Sequence, residues 1–253
     1  MFKPSKLHHS ICQNNASGTI PEYFGLLCWN VYKNNQKHPR FQDFLRKEVE
    51  KREIDFLLFQ EAAFHDAHTF ELPCFSYDAA ANLELKGSFF GVLTASRIDS
   101  RNARAYLSEA KESLLGPHKS LLLSEFAFKN GEPLLIFNIH AINFRENSRY
   151  IKELERFFTL VEGYEGAMVI AGDFNSWNNR RMAKLQQFAQ RLSLSTALFK
   201  EEKKIKSFMG KHLDFVFYRG LKLEEACVLE GQRFSDHNPL YVRFRKQGRE
   251  EAI

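Results

Sequence analysis

Apolar runs of strand length recur along this chain, and several of them do not alternate with polar residues. They read FGLLCWNVY, IDFLLFQ, FFGVLTAS, SLLLSEFAF, PLLIFNIH, AMVIAGDF, LDFVFY and PLYVRF. A strand wetted on one face alternates with period two, whereas a continuous apolar run is covered on both faces. The chain must therefore build sheets with something packed on each side. The 25 phenylalanines, against 2 Trp and 8 Tyr, call for the same large interior. Three amphipathic segments can supply the cover. Phe41, Phe44, Leu45 and Val49 share one helical face of residues 39–52. Ile151, Leu154, Phe158 and Val161 do so in 146–161, and Met182, Leu185, Ala189 and Leu192 in 178–192, where Asn178 or Asn179 is available as N-cap. Strands outnumber helices and some follow each other directly, so the expected fold is α/β, with two sheets inside and helices outside. Without a repeat or a linker, the 253 residues read as one large domain over 24–246, after a flexible, patternless N-terminal arm (1–23) and before a short tail (247–253).

Composition excludes some classes. Hydrophobic residues at 44% and charged residues at 26% rule out a disordered chain. A net charge of +5 and a pI near 8.9 favour an anionic partner, whether nucleic acid, phosphoester or membrane headgroup, without choosing among them. Cys12, Cys28, Cys74 and Cys227 form no C-x-x-C pair, and the N-terminus has no continuous apolar stretch. They read as reduced thiols of a cytoplasmic protein rather than a thiolate zinc site. The longest apolar runs, such as 54–59, fall far short of the ~20 residues of a spanning helix.

What ends the runs points to function. One stops at Asn30, one at Gln60-Glu61, one at His140 with Asn143 behind it, and one at Asp173-Phe174-Asn175. Each emerges into a residue able to bind a metal, move a proton or hold a phosphate, and strand ends are where sites are built in layered sheets. Singly, each has a plainer reading: a turn asparagine, a solvated glutamate, a satisfied core histidine. Four strands ending this way suggest one shared site. In 172–175 the pattern is tighter, because residues i and i+2 of an extended segment point the same way and Gly172 lets the backbone approach a ligand. Asp214 interrupts an apolar strand and needs a partner, for which a histidine is the obvious choice. Asp236 and His237 are adjacent and can act together only from a loop, which Pro239 supports.

Taken together, WN at 29–30, QE at 60–61, NIH at 138–140, GDFN at 172–175, LDF at 213–215 and SDHNP at 235–239 resemble the endonuclease/exonuclease/phosphatase (DNase I-like) superfamily, in order and over about 24–245. The wording NIHAINF, AGDFNSWNNRRM, LDFVFYRGL and SDHNPLYV most resembles its bacterial YafD-like branch. The resemblance implies a four-layer sandwich, two mixed sheets face to face with helices on the outer faces. It also implies a hydrolase that cleaves a phosphoester by in-line attack of water, with Mg²⁺ (or Mn²⁺) as cofactor. Glu61 would be the first metal ligand, supported by Asn30, and Asp236 a second ligand or an anchor. Asp173 and Asn175 would align water and phosphate, and His237 would be general base or transition-state partner with Asp214 fixing its tautomer. His140 would contact a phosphate oxygen or assist the leaving group. Two positions depart from the abasic-site endonucleases, which carry an Asp where this chain has Tyr32 and a Tyr where it has His140.

Other features carry less. His65 and His68 at i, i+3 lack a third zinc ligand nearby. Arg145, Arg149, Lys152 and Arg156 share a helix face, but interleaved glutamates favour a plain solvated surface. Arg180, Arg181 and Lys184 follow GDFN directly and are the expected substrate-binding cations. The expected partner is nucleic acid, met by a monomer; a lipid- or inositol-directed phosphoesterase and a catalytically silent binding module are the alternatives. The linking loops 99–104 and 200–206 are charged, and no apolar membrane anchor is evident.

Overall fold

The computed structural model describes residues 6–10, 18–33, 35, 39–65, 72, 74–111, 118–143, 146–231 and 233–247. In chain order the elements are β1 (Lys6–Ser10), β2 (Tyr23–Asn30), α1 (Pro39–Arg52), β3 (Ile54–Phe64), β4 (Ser76–Leu85), β5 (Ser88–Ser96), β6 (Asn102–Lys111), β7 (His118–Ala127) and β8 (Pro133–His140). There follow α2 (Asn147–Thr159), β9 (Ala167–Asp173), α3 (Asn179–Arg191), β10 (Ser195–Thr196), β11 (Ser207–Phe208), β12 (Lys211–His212), β13 (Asp214–Arg219), β14 (Leu221–Val228) and β15 (Leu240–Lys246). One sheet runs β1-β4-β5-β3-β2-β15-β14, the other β10-β13-β9-β8-β7-β6, and β11 and β12 form a hairpin of their own. Each large sheet is mixed, with one parallel pair: β2 with β3, and β8 with β9.

The continuous runs are explained by what lies on each face. In β2, Leu26 and Cys28 point into the core between the sheets, where they join Phe56, Leu58, Ile136, Val169 and Val216. Their neighbours Leu27 and Trp29 point the other way, under α1, against Phe41 and Leu45. Trp29 stacks on Phe41 at 5.1 Å. On the second sheet, Phe137, Ile139 and Ile170 pack beneath Leu154, Phe157, Leu185 and Phe188 of α2 and α3. The result is four layers: helix, sheet, sheet, helices. Burying each such Leu or Phe side chain contributes roughly 1.5–3 kcal/mol. Asn178 caps α3, its side chain accepting from the Arg181 backbone N–H.

One expectation is overturned at the N-terminus. Residues 6–10 are not part of a patternless arm but an edge strand paired antiparallel with β4. Their sequence, KLHHS, hides this because the inward residue is a histidine. His8 is buried against the rings of Phe64 and Phe89. Ile20 is buried too, bridging to Phe128.

The topology gathers one edge of the sandwich. The parallel strands β2, β3, β8 and β9 run toward it, while β7, β13 and β15, antiparallel to their neighbours, start from it.

Candidate active site

At that edge lies a cleft of about 390 Å³, whose lining includes Asn30, Glu61, Lys119, His140, Asp173, Asn175, Asp236 and His237. Each acidic or imidazole group arrives by a local device. Glu61 sits where the β3–β5 register shifts between Phe59 and Ala62, and its φ is 51°. A bulge re-aims a side chain that regular pleating would send elsewhere, at a backbone cost that the surroundings must hold in place. Here Lys33 donates its backbone N–H to the Glu61 carbonyl, and beneath the bulge the Gln60 carboxamide donates to Asn138 Oδ1 at 2.7 Å. Asn175 likewise has φ 50°, its backbone N–H donating to Asp173 Oδ1 and its carboxamide to the Ala141 carbonyl. Gly172 is required because β8 and β9 approach so closely that a Cβ there would lie 1.9 Å from the Ile139 carbonyl oxygen.

Asp173 and Asp214 are directly opposite in the β9–β13 ladder. His237 comes from the loop before β15, held by its backbone N–H to Ser235 Oγ and by Trp29 Nε1, which donates to its carbonyl. Ser235 Oγ in turn donates to the Asn30 carbonyl at 2.6 Å. His237 Nδ1 donates to Asp214 Oδ2 at 2.8 Å, and its Nε2 lies 3.9 Å from Asp173 Oδ2. Burial alone would lower the His237 pKa. The Asp214 charge and hydrogen bond, with Asp173 and Asp236, outweigh it and raise the pKa to about 9. Burial first, and then the Asp214 charge, push Asp173 up to about 7.

Opposite stands a group that the sequence reading missed. Lys119 of β7 is buried, and its Nζ lies 3.1 Å from His140 Nε2. An ammonium has only donors, so Nε2 must accept and the ring proton sits on Nδ1. Burial, then the charges of Lys119, His237 and Lys33, hold His140 well below the ordinary histidine range. Its Nε2 is also 3.8 Å from both Glu61 Oε1 and Asp173 Oδ2. No sequence signal marks Lys119, because that β7 starts at this edge is known only from its antiparallel pairing with β8.

The expected residues thus divide. Asn30, Glu61, His140, Asp173, Asn175, Asp214, Asp236 and His237 come together at one edge. Asn30 spends its amide on Asp173 Oδ2 at 3.1 Å and accepts from the Tyr32 backbone N–H, so it braces Asp173. Asp236 is exposed and paired with Lys206 at 2.7 Å. Two expected substrate-binding cations point elsewhere. Arg181 is fully buried, donating to the carbonyls of Asn175 and Asn143 and to Asn147 Oδ1, with its guanidinium over the rings of Tyr150 and Trp177. It is an internal clamp on the loop after Asp173. Lys184 pairs with Glu155 of α2. Arg180 is exposed on the first turn of α3 and does not line the cleft. Lys152 and Arg156 pair with Glu109, as expected of a solvated face, while Arg145 and His68 lie outside the described residues.

A divalent cation fits this donor set. Among the described residues, Asp173, Asp214 and His237 each place a ligand atom within 4.8 Å of one another. Asp214 Oδ1 is buried without a hydrogen-bond partner. An orphaned carboxylate oxygen beside a second crowded carboxylate is the environment a hard cation satisfies.

Residues 27–237 match the Endonuclease/Exonuclease/phosphatase family. The chain belongs to that family. It is 36% identical over 222 residues to the UPF0294 protein VP2298 of Vibrio parahaemolyticus, covering 87% of this chain and 76% of the relative. It is 35% identical over 230 residues to the UPF0294 protein YE0917 of Yersinia enterocolitica, covering 88% and 84%. Among solved structures, the human Nocturnin catalytic domain with bound sulfate shares the fold at TM-score 0.64 and 16% identity, over 90% of this chain and 96% of that one. No helix among the described residues is long and apolar enough to cross a membrane.

Proposed function

We propose that this chain is a divalent-cation-dependent phosphodiesterase that cleaves nucleic acid by in-line attack of water. The observation that carries the reading is the convergence, in one cleft, of an oxygen-rich wall (Glu61 and Asp173, with Asp214 behind Asp173) and a nitrogen wall (Lys119, His140, His237). The first suits a hard cation and the second a phosphoryl oxygen. Glu61 would hold Mg²⁺ or Mn²⁺, with Asp236 as a further candidate ligand. When bound, the cation supplies charge stabilisation at the phosphoryl oxygens.

Protonation states divide the remaining work. With its pKa near 7, Asp173 is suited to accept the proton of the attacking water, and Asn175 keeps its carboxylate oriented. The water oxygen forms a new bond to phosphorus as the bond to the leaving oxygen breaks. His237, held charged by Asp214, faces the developing negative charge. Lys119, with neutral His140, offers a fixed cation on the opposite side. Nucleic acid is preferred because the net charge is +5 and Lys119 and Lys206 both line the cleft.

The deciding experiment offers single- and double-stranded DNA, RNA, a choline phospholipid and an inositol polyphosphate with Mg²⁺ or Mn²⁺, with Asp173→Asn as control. Cleavage of nucleic acid that vanishes in EDTA and in the variant is expected. Cleavage of the lipid alone, or undiminished activity in EDTA, would sink the proposal.

A further inference from the structure

The cleft has an aromatic mouth whose rings have no role in the chemistry above. Tyr32 and Phe208 line it while 60% and 52% exposed, and Trp177 lines it beside the buried Arg181. Two of the three are carried on constrained backbone. Tyr32 has φ 49°, its backbone N–H tied to Asn30 Oδ1. Phe208 sits on the β11–β12 hairpin, whose two turn residues, Met209 and Gly210, both have positive φ (50° and 74°), the pattern of a tight two-residue hairpin turn. Trp177 makes no hydrogen bond through its indole nitrogen and is positioned by rings and charge alone. The Arg181 guanidinium covers it at 4.7 Å, and Phe208 stands nearly perpendicular to it at 6.0 Å and 84°. Two perpendicular rings form a corner that accepts a flat group against one ring and its edge against the other.

Resting on the reading of the cleft as a phosphodiester site, we infer that Trp177 and Phe208, with Tyr32 lining the same cleft, stack an unpaired nucleobase next to the phosphate being cleaved. Three observations select this occupant. The rings are continuous with the phosphoryl site, sharing its walls with Lys119 and Lys206, so a bound group must carry both negative charge and a flat apolar face. At about 390 Å³ the cleft has room for a group of about one nucleotide's size. Bases inside a duplex have no free face, so a ring wall in a cleft of this size reads single strands, ends or flipped nucleotides. The protein would therefore prefer single-stranded over duplex substrate, with little preference for sequence.

The test uses the full chain with Ca²⁺ in place of Mg²⁺, the oligomers being checked as intact on a gel. Anisotropy reports binding of three fluorescein-labelled probes of equal length: a single strand, the same strand with tetrahydrofuran abasic units, and its duplex. Tryptophan emission gives a second readout, because Trp29 is fully buried and only Trp177 faces the cleft. The expected result is single-strand binding tighter than abasic binding by roughly 5- to 100-fold. Base-dependent quenching should accompany it and be absent in Trp177→Phe. Phe208→Ala, at an exposed position, should erase most of that preference while leaving abasic binding unchanged.

Equal binding of base-bearing and abasic strands overturns the inference. If both are then cleaved in Mg²⁺, the phosphodiesterase reading stands without it. A blue shift of Trp177 emission on phosphatidylcholine–phosphatidylglycerol vesicles, with no response to any oligomer, would overturn both. It would assign exposed Phe208 and Met209 to a lipid surface instead.

Discussion

His140 and His237 approach the same carboxylate from opposite sheets at nearly equal distance, 3.8 and 3.9 Å from Asp173 Oδ2, yet one is neutral and the other charged. His237 donates to Asp214 and is surrounded by carboxylates, which raise its pKa to about 9. His140 faces a lysine and is fully buried, which keeps it neutral. Residue type and proximity to Asp173 are the same, so the difference comes from each ring's second neighbour. One titratable pair pushed apart by its surroundings is how a single cleft holds a charged and a neutral group at one pH.

The comparison breaks most visibly on the His237 side. His237→Ala should lower kcat by roughly 10²–10³-fold, the usual worth of a positioned donor at a developing negative charge. Asp214→Asn should approach that loss, because the imidazole would lose its charge and its orientation together. As the two act as a unit, the double variant should be little worse than His237→Ala. Steady-state kinetics on a cleaved oligonucleotide would show it, and fully multiplicative losses would mean the 2.8 Å contact has no part in turnover.

On the other side, Lys119→Met should raise the His140 pKa by removing the neighbouring charge, and lower kcat by about 10²-fold if the ammonium stabilises the phosphoryl charge. NMR titration of the His140 ring separates the two effects. A raised pKa with unchanged kcat would confine Lys119 to holding the tautomer.

The carboxylate side also predicts a pH dependence in the metal-free protein. Asp173, with a folded pKa of about 7 against an ordinary 3.8, binds more protons folded than unfolded between those values. His237 does the same between 6.5 and about 9. Both folded values are raised, so both contributions to stability are fully present at low pH and are lost as pH rises through about 7 and then about 9. In EDTA the melting temperature should fall from pH 6 to 9.5, and Mg²⁺ should reverse most of the fall. Cation binding should also release protons, more per ion below pH 7, which calorimetry in buffers of different ionisation enthalpy would read. A flat melting profile would mean that these two carboxyl-rich contacts are relaxed in solution.

The sequence showed much of this, and its misses share a cause. Continuous runs forced sheets covered on both faces, and the polar residues ending β2, β8 and β9 or interrupting β3 were legible because parallel strands run toward one edge. Lys119 was not, since HKSLLL reads as a charged strand entrance until β7 is known to run antiparallel to β8. The β3 bulge was also hidden: nothing in FQEAAF says that Glu61 leaves the pleat. Arg181 was legible in hindsight. It lies four residues before Leu185 and seven before Phe188, on the apolar stripe of α3, so it belonged to the buried face despite its charge.

The smallest expected effect sharpens that last point, because Arg180 and Arg181 are adjacent and about 100° apart on the helix. Arg181→Met removes donors from the Asn143 and Asn175 carbonyls and from Asn147, leaving buried acceptors unpaired and Trp177 uncovered. A loss on the order of 3 kcal/mol in chemical denaturation is expected, with weaker base stacking as its local signature. Arg180→Glu touches none of these contacts. Being exposed and outside the cleft lining, it should leave stability within ~0.5 kcal/mol of wild type and kcat unchanged. Its one measurable effect should be on the salt dependence of oligonucleotide binding, reducing the slope by about 1 if Arg180 meets a flanking phosphate. An unchanged slope would remove the last of the three expected substrate cations and leave Lys119 and Lys206 as the basic groups that meet the substrate.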